Sequence, residues 1–198
     1  MVSAEDAITI YQHLLDNGIQ LWLTGGWGID ALVGGQTRPH KDLDLIMLLD
    51  DVGRMRHLLV HDGYDLKDLW EENRWVLDAH GVEAATAFVL HDSLGREIDA
   101  HAMRLDSSGD GLPAWDAEGL VFSSADLAGQ GTIAGLPVRC LSPEAQLLCH
   151  TGYDLPDCQV RDLELLRVKF GESGAHFTDV AAHRKPTQVL KRSAGSMP

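Results

Sequence analysis

Leu23-Thr24-Gly25-Gly26-Trp27-Gly28-Ile29-Asp30, followed after a loop by Lys41-Asp42-Leu43-Asp44-Leu45, is the stretch on which the reading of this chain turns. Asp42 and Asp44 stand two residues apart in an apolar run, which puts both side chains on one face of a strand. Carboxylates that point the same way repel each other unless something positive sits between them. A hard dication with oxygen ligands meets that need. Mg²⁺ takes one or two carboxylates and completes its shell with water and substrate phosphates. The Gly25-Gly26 pair upstream supplies a backbone able to approach a phosphate closely. A third acid, Asp99, lies in Arg96-Glu97-Ile98-Asp99-Ala100, between apolar neighbours on another expected central strand. Three acids on buried strands are hard to account for as surface decoration. With the glycines, they read as metal-assisted transfer chemistry on a nucleotide.

The bulk composition sets the frame. At 198 residues and 44% hydrophobic content, the chain can bury a real core, which excludes wholesale disorder. Sixteen basic against 30 acidic residues give a net charge of −14, which argues against a broad phosphate-contacting surface for nucleic acid. The same charge is compatible with a cationic substrate, or serves colloidal solubility alone. The three cysteines, Cys140, Cys149 and Cys158, are odd in number and form no CxxC pair. Reduced thiols in a cytoplasmic compartment are therefore expected rather than a disulfide framework. No signal peptide or membrane-length apolar run is read in the sequence, so no membrane partner is expected.

Along the chain, Ser3 to Asn17 carries Ala7, Ile8, Tyr11, Leu14 and Leu15 at helical spacing, with Ser3 as cap and Gly18 as stop. A short strand is expected over 19–23, a helix over 27–33, a strand over 42–49 and a second amphipathic helix over 51–61. Residues 64–104 read as β-rich, with strands at 86–90 and 97–103 joined by the turn Asp92-Ser93-Leu94-Gly95. The Gly-, Asp- and Ser-rich stretch 107–129 reads as a surface loop with a short strand at 120–122. A tight hairpin is expected over 132–139. Ser142-Pro143-Glu144 is a strong helix start, for a helix reaching about Thr151, and another helix runs over 156–170. The fold class expected is α+β, a mixed sheet flanked by helices with a C-terminal helical segment. The expected organisation is a catalytic domain over 1–140, a helical segment over 141–175 that completes the site, and a flexible tail over 176–198.

The stretch from Leu23 to Leu45, including Gly25-Gly26-Trp27-Gly28-Ile29-Asp30 and Asp42-Leu43-Asp44, resembles the antibiotic-modifying branch of the polymerase-β-like nucleotidyltransferases. Within it, the aminoglycoside 2″-O-nucleotidyltransferases and the lincosamide nucleotidyltransferases are the most similar groups. Glu97-Ile98-Asp99-Ala100-His101, residues 131–140 and Ser142-Pro143-Glu144-Ala145 extend the resemblance from about Leu21 to about Phe170. It implies a polymerase-β-like fold, ATP or another NTP as co-substrate, two Mg²⁺ ions and a small-molecule hydroxyl acceptor. Many members of the wider superfamily follow the glycine turn with Ser. Here Trp27 stands in that place, which shifts the holding of the terminal phosphates to backbone N–H groups and basic side chains.

The roles implied follow residue by residue. Asp42 and Asp44 are expected to bind metal against the triphosphate. Asp99 is expected to share the second ion and to accept the proton of the acceptor hydroxyl. Gly25 and Gly26 would approach the phosphates, with the positive end of the following helix directed at them. Arg38 reads equally as a phosphate contact or a structural ion pair, and His40 as a phosphate contact or a hydrogen bond that pins its loop. Arg161 corresponds to a basic residue thought to contact the nucleotide. Asp30 reads as a helix cap or ion-pair partner as readily as a catalytic group, and His101 as structural rather than a ligand. Trp70, Glu71, Glu72, Trp75, Tyr153 and Asp154 are candidates for the acceptor wall. The function expected is transfer of a nucleoside monophosphate, AMP from ATP first, to a hydroxyl of a small antibiotic. An aminoglycoside is the expected acceptor. The same chemistry on a lincosamide, a biosynthetic sugar, a nucleoside or a protein side chain is the alternative, and the presence of all three carboxylates counts against a binder without turnover.

Overall fold

The computed structural model describes residues 1–151 and 154–171. The expected tail over 176–198 and Tyr153 lie outside them. Helix α1 (Ala4–Asp16) is started by a capping box in which the Ser3 side chain and Asp6 satisfy each other's backbone N–H groups. Strand β1 (Leu21–Leu23) leads directly into helix α2 (Gly25–Val33), which ends on Gly34 in the left-handed conformation. Strand β2 (Asp42–Leu48), a 3-10 turn and helix α3 (Val52–His61) follow. Then come β3 (Asp65–Leu69), the small hairpin of β4 (Trp75–Leu77) and β5 (Glu83–Ala85), and the hairpin of β6 (Ala87–His91) and β7 (Glu97–Leu105). Next come β8 (Gly111–Pro113), the hairpin of β9 (Gln130–Ile133) and β10 (Leu136–Arg139), and helices α4 (Pro143–Cys149) and α5 (Asp157–Phe170).

The main sheet runs β1-β2-β7-β6-β3, with β8 added to β7. It is mixed: β2 and β7 are parallel, while β1–β2, β7–β6, β6–β3 and β7–β8 are antiparallel. Side chains alternate across it. One face carries Leu21, Leu23, Leu43, Leu45, Met47, Phe88, Leu90, Ile98 and Ala100, and packs in the larger core with α1, α2, α3 and α5. The other face carries Trp22, Ile46, Ala87 and Met103, covered by Trp115, Leu120, Phe122, Leu141, Ala145 and Cys149 as a second, smaller core. Asp42, Asp44 and Asp99 fall on this second face, before its apolar cover begins.

The α+β class and the mixed sheet match the sequence reading; the differences are local. Helix α2 begins at Gly25, so the glycine pair is its first turn rather than a turn ahead of it. Residues 120–122 form no strand; Phe122 makes only an isolated bridge to Gly111. The loop 107–129 is not mere surface, because Trp115, Leu120 and Phe122 are buried. Its apolar residues follow neither the period of a strand nor that of a helix, so their burial has no periodic signature. All three cysteines are free thiols, and burial pushes Cys140 and Cys149 up to about 12. Among the described residues, no helix is long and apolar enough to cross a membrane.

Candidate active site

The parallel pairing of β2 with β7 sets Asp44 beside Asp99 and Asp42 beside Glu97. Register partners in a parallel pair share a face, so three of the acids named from the sequence belong to one strip of the sheet. Asp44 and Asp99 are buried, at 7% and 6% exposure. Glu97 is paired instead with Lys41 and Lys67, at 3.0 and 2.5 Å.

The glycine turn meets this strip at Asp44. Gly25 has φ +58°, and a Cβ built on it would fall 2.1 Å from Asp44 Oδ2. Only a residue without a side chain fits both the dihedral and the approach. A Cβ on Gly26 would fall 2.2 Å from His40 Nδ1 and 3.1 Å from Arg38 Nη2, so the basic loop residues close over the second glycine. The Thr24 hydroxyl donates to Gln146 Oε1 at 3.1 Å, and Gln146 Nε2 donates to the Leu23 carbonyl at 3.3 Å, tying α4 to the turn.

His40 and Arg38 are both engaged within the protein. His40 Nε2 lies 2.5 Å from Asp30 Oδ2, with both side chains 2% exposed. Asp30 also accepts from the Thr37 hydroxyl at 2.6 Å and the Thr37 amide at 3.1 Å, so it pins the loop between α2 and β2. Trp27, fully buried, packs its ring 4.7 Å from the His40 ring centroid. Arg38 reaches Asp162 on α5 in a bidentate pair, donating from Nε to Oδ1 at 3.1 Å and from Nη2 to Oδ2 at 2.7 Å. Burial works against the guanidinium's charge, but Asp162 outweighs it and raises its pKa. Arg161 is exposed on α5, and with about 100° between successive helical residues it faces away from its neighbour Asp162.

Asp99 has its own support. Its Oδ1 accepts from Trp70 Nε1 at 2.9 Å and lies 3.3 Å from His101 Nδ1. His101 Nε2 is 3.4 Å from Glu72 Oε1, so the imidazole bridges two carboxylates. Burial disfavours its charged form, yet Asp99 and Glu72 together lift it to about 9. Burial likewise raises Glu72, but His101 more than offsets it and the carboxyl is held below its usual range. Of the acceptor-wall candidates, Trp70 and Glu72 therefore stand at Asp99, whereas Glu71, Trp75 and Asp154 are exposed.

Two supporting residues escaped the sequence reading, Asp162 and Gln146, which lie 124 and 122 residues from their partners. Asp162 did carry a signal. Gln159, Asp162, Leu163 and Leu166 form the buried stripe of α5, and an acid on such a stripe needs a cation opposite.

Among the described residues, no three His, Cys, Asp or Glu side chains form a cluster that would hold a metal by itself. The donor set at the strip is nonetheless all carboxylate oxygen, which suits a hard cation that takes few protein ligands and draws the rest of its shell from phosphates. The residues present fit Mg²⁺ bound together with a nucleotide.

A lincosamide resistance protein of Staphylococcus haemolyticus is 28% identical over 160 residues, covering 81% of this chain and 89% of the relative. A 2''-aminoglycoside nucleotidyltransferase of Klebsiella pneumoniae is 27% identical over 187 residues, covering 87% and 91%. The crystal structure of a lincosamide antibiotic adenylyltransferase with lincomycin bound superposes with a TM-score of 0.69 at 26% identity, over 84% of this chain and 97% of that one. The family model of the aminoglycoside-2''-adenylyltransferases matches residues 6–166, which include the glycine turn and all three carboxylates. This chain, with its Gly25-Gly26 turn set against Asp44 and its Asp44–Asp99 strand pair, belongs to the aminoglycoside-2''-adenylyltransferase family.

Proposed function

We propose that this protein is a Mg²⁺-dependent nucleotidyltransferase that moves a nucleoside monophosphate, AMP from ATP first, onto a hydroxyl of a small antibiotic. The observation that carries the reading is the register of Asp44 against Asp99, with Gly25 seated on Asp44. Asp42 and Asp44 would hold the divalent cations, and Asp99 would share the second. Such ions, when bound, would supply charge neutralisation at phosphate oxygens and a more acidic acceptor hydroxyl. In the transfer, the acceptor oxygen bonds to the α-phosphorus, the bond to pyrophosphate breaks, and the hydroxyl proton passes to Asp99. The backbone at Gly25 and Gly26 would receive the triphosphate at the start of α2, where N–H groups and the helix dipole favour negative charge. Arg38 and His40 lie beside Gly26, and their pairing with Asp162 and Asp30 fixes the loop that would approach the phosphates.

An aminoglycoside is the first acceptor, in line with the family and with the net charge of −14. A lincosamide is the second, favoured by the resistance protein of Staphylococcus haemolyticus and by the lincomycin-bound neighbour. The test is pyrophosphate release from ATP and Mg²⁺ with a panel of both drug classes. Release with an antibiotic supports the proposal and names the class; no release with any member of the panel overturns it.

A further inference from the structure

Among the described residues, the carboxylate expected to take the acceptor's proton is gripped at one oxygen. Trp70 Nε1 donates to Asp99 Oδ1 at 2.9 Å, and His101 Nδ1 lies 3.3 Å from that same oxygen. The indole is itself fixed by its backbone. The Trp70 amide donates to the Ala87 carbonyl at 3.2 Å, and the Asn73 amide donates to the Trp70 carbonyl at 3.0 Å. Asn73 Oδ1 in turn accepts from the Thr86 and Ala87 amides at 2.7 and 3.1 Å. The segment is thus clamped to the start of β6, whose Val89 pairs in register with Asp99. His101 is held from the far side by Glu72, 3.4 Å away, and by the edge of Trp115, 4.9 Å between ring centroids.

We propose that Trp70 is the positioning residue for Asp99. With His101, it commits Oδ1 to the protein and leaves Oδ2 as the oxygen that receives the acceptor's proton. This rests on the nucleotidyl-transfer reading above. The terminal torsion of Asp is broad, so an unsupported carboxylate samples many orientations. A hydrogen bond from a rigid indole to one oxygen narrows that range, and charge-assisted bonds of this kind are the stronger ones. The gain is geometric, since small misplacements of a reacting group cost much rate. The rival role, an aromatic wall for the acceptor, would use the ring face and not the N–H.

Trp70→Phe removes the N–H and keeps an aromatic ring. Measured with ATP, Mg²⁺ and whichever antibiotic the wild-type protein turns over, it should lower kcat about 10- to 100-fold and leave the KM of both substrates within about threefold. Unchanged kcat, or a KM for the antibiotic raised at constant kcat, overturns the positioning role while wild-type turnover leaves the transfer reading standing. A second measurement needs no turnover. In the ¹⁵N spectrum of the full chain without nucleotide, the Trp70 indole N–H should shift upfield and exchange at least about tenfold faster with solvent in Asp99→Ala, since the bond protects it. An indole signal indifferent to Asp99→Ala overturns the proposal even if no acceptor is found.

Discussion

Asp44 and Gly25 form a unit in which each dictates the other. The carboxylate occupies the space where a side chain at Gly25 would stand, and φ +58° at Gly25 brings the backbone to it. Gly25→Ala should therefore combine left-handed strain of about 1–2 kcal/mol with a collision against Asp44. Chemical denaturation should show a loss at least that large, with turnover lost because Asp44 is displaced; wild-type stability in this variant would refute the close approach. Asp42→Asn and Asp44→Asn should act in the opposite sense on stability. Neutralising one of two neighbouring carboxylates relieves repulsion, so metal-free stability should hold level or rise while turnover collapses. Retention of more than about a tenth of wild-type kcat, a barrier change under about 1.4 kcal/mol, would remove these acids from the metal site. At this scale the Asp42–Asp44 pair was legible, because the two-residue period of a strand is a local fact. The partnership of Asp99 with Trp70 was not, because nothing in either segment encodes the fold that joins them across 29 positions.

Helix α5 shows how an element far along the chain finishes a site built near its start. Its buried stripe carries Leu163 and Leu166 into the larger core and brings Asp162 to Arg38, with the Asp162 side chain 3% exposed. The loop between α2 and β2 is thereby held by Asp30 through Thr37 and His40, and by α5 through Arg38 between them. Asp162→Asn keeps the volume and loses the charge. It should destabilise the protein by about 1.5–3 kcal/mol, the scale for hydrogen bonds to charged groups. Nucleotide KM should rise as the loop loosens. Denaturant titration and nucleotide saturation would read the two effects; a variant unchanged in both would mean that the pair neither docks α5 nor orders the loop. Helix α5 was expected as an element over 156–170, whereas its docking partner was not.

For the whole molecule, Arg96 joins the start of α1 to the turn between β6 and β7, through Asp6 at 2.7 Å and Asp92 at 2.6 Å. The Ser3 hydroxyl is the main cause that lowers Asp6; burial opposes it, and Arg96 adds to it. Burial raises Asp92, but the Arg96 amide and guanidinium outweigh it. Both carboxyls thus titrate below the usual 3.8. A depressed folded-state value means the stabilisation is fully present above the unfolded pKa and is lost as pH falls through the folded one. Stability should therefore decline between about pH 5 and pH 2, and the decline should be shallower in Asp92→Asn. Equal acid limbs for variant and wild type would show that other groups govern acid unfolding.

The chain's own sequence determined the period of its helices and strands, the capped start of α1, the strip of Asp42 and Asp44, and the glycine turn beside them. Each depends on neighbours a few residues apart, where backbone geometry alone decides which side chains meet. The fold decided which strand stands beside which, and so that Asp99 is the register partner of Asp44. It also decided that Arg38 answers to Asp162, and that the aperiodic loop 107–129 contributes Trp115, Leu120 and Phe122 to a second core. These are contacts between residues far apart in sequence, selected by the joint burial of two sheet faces, and no local pattern carries that information.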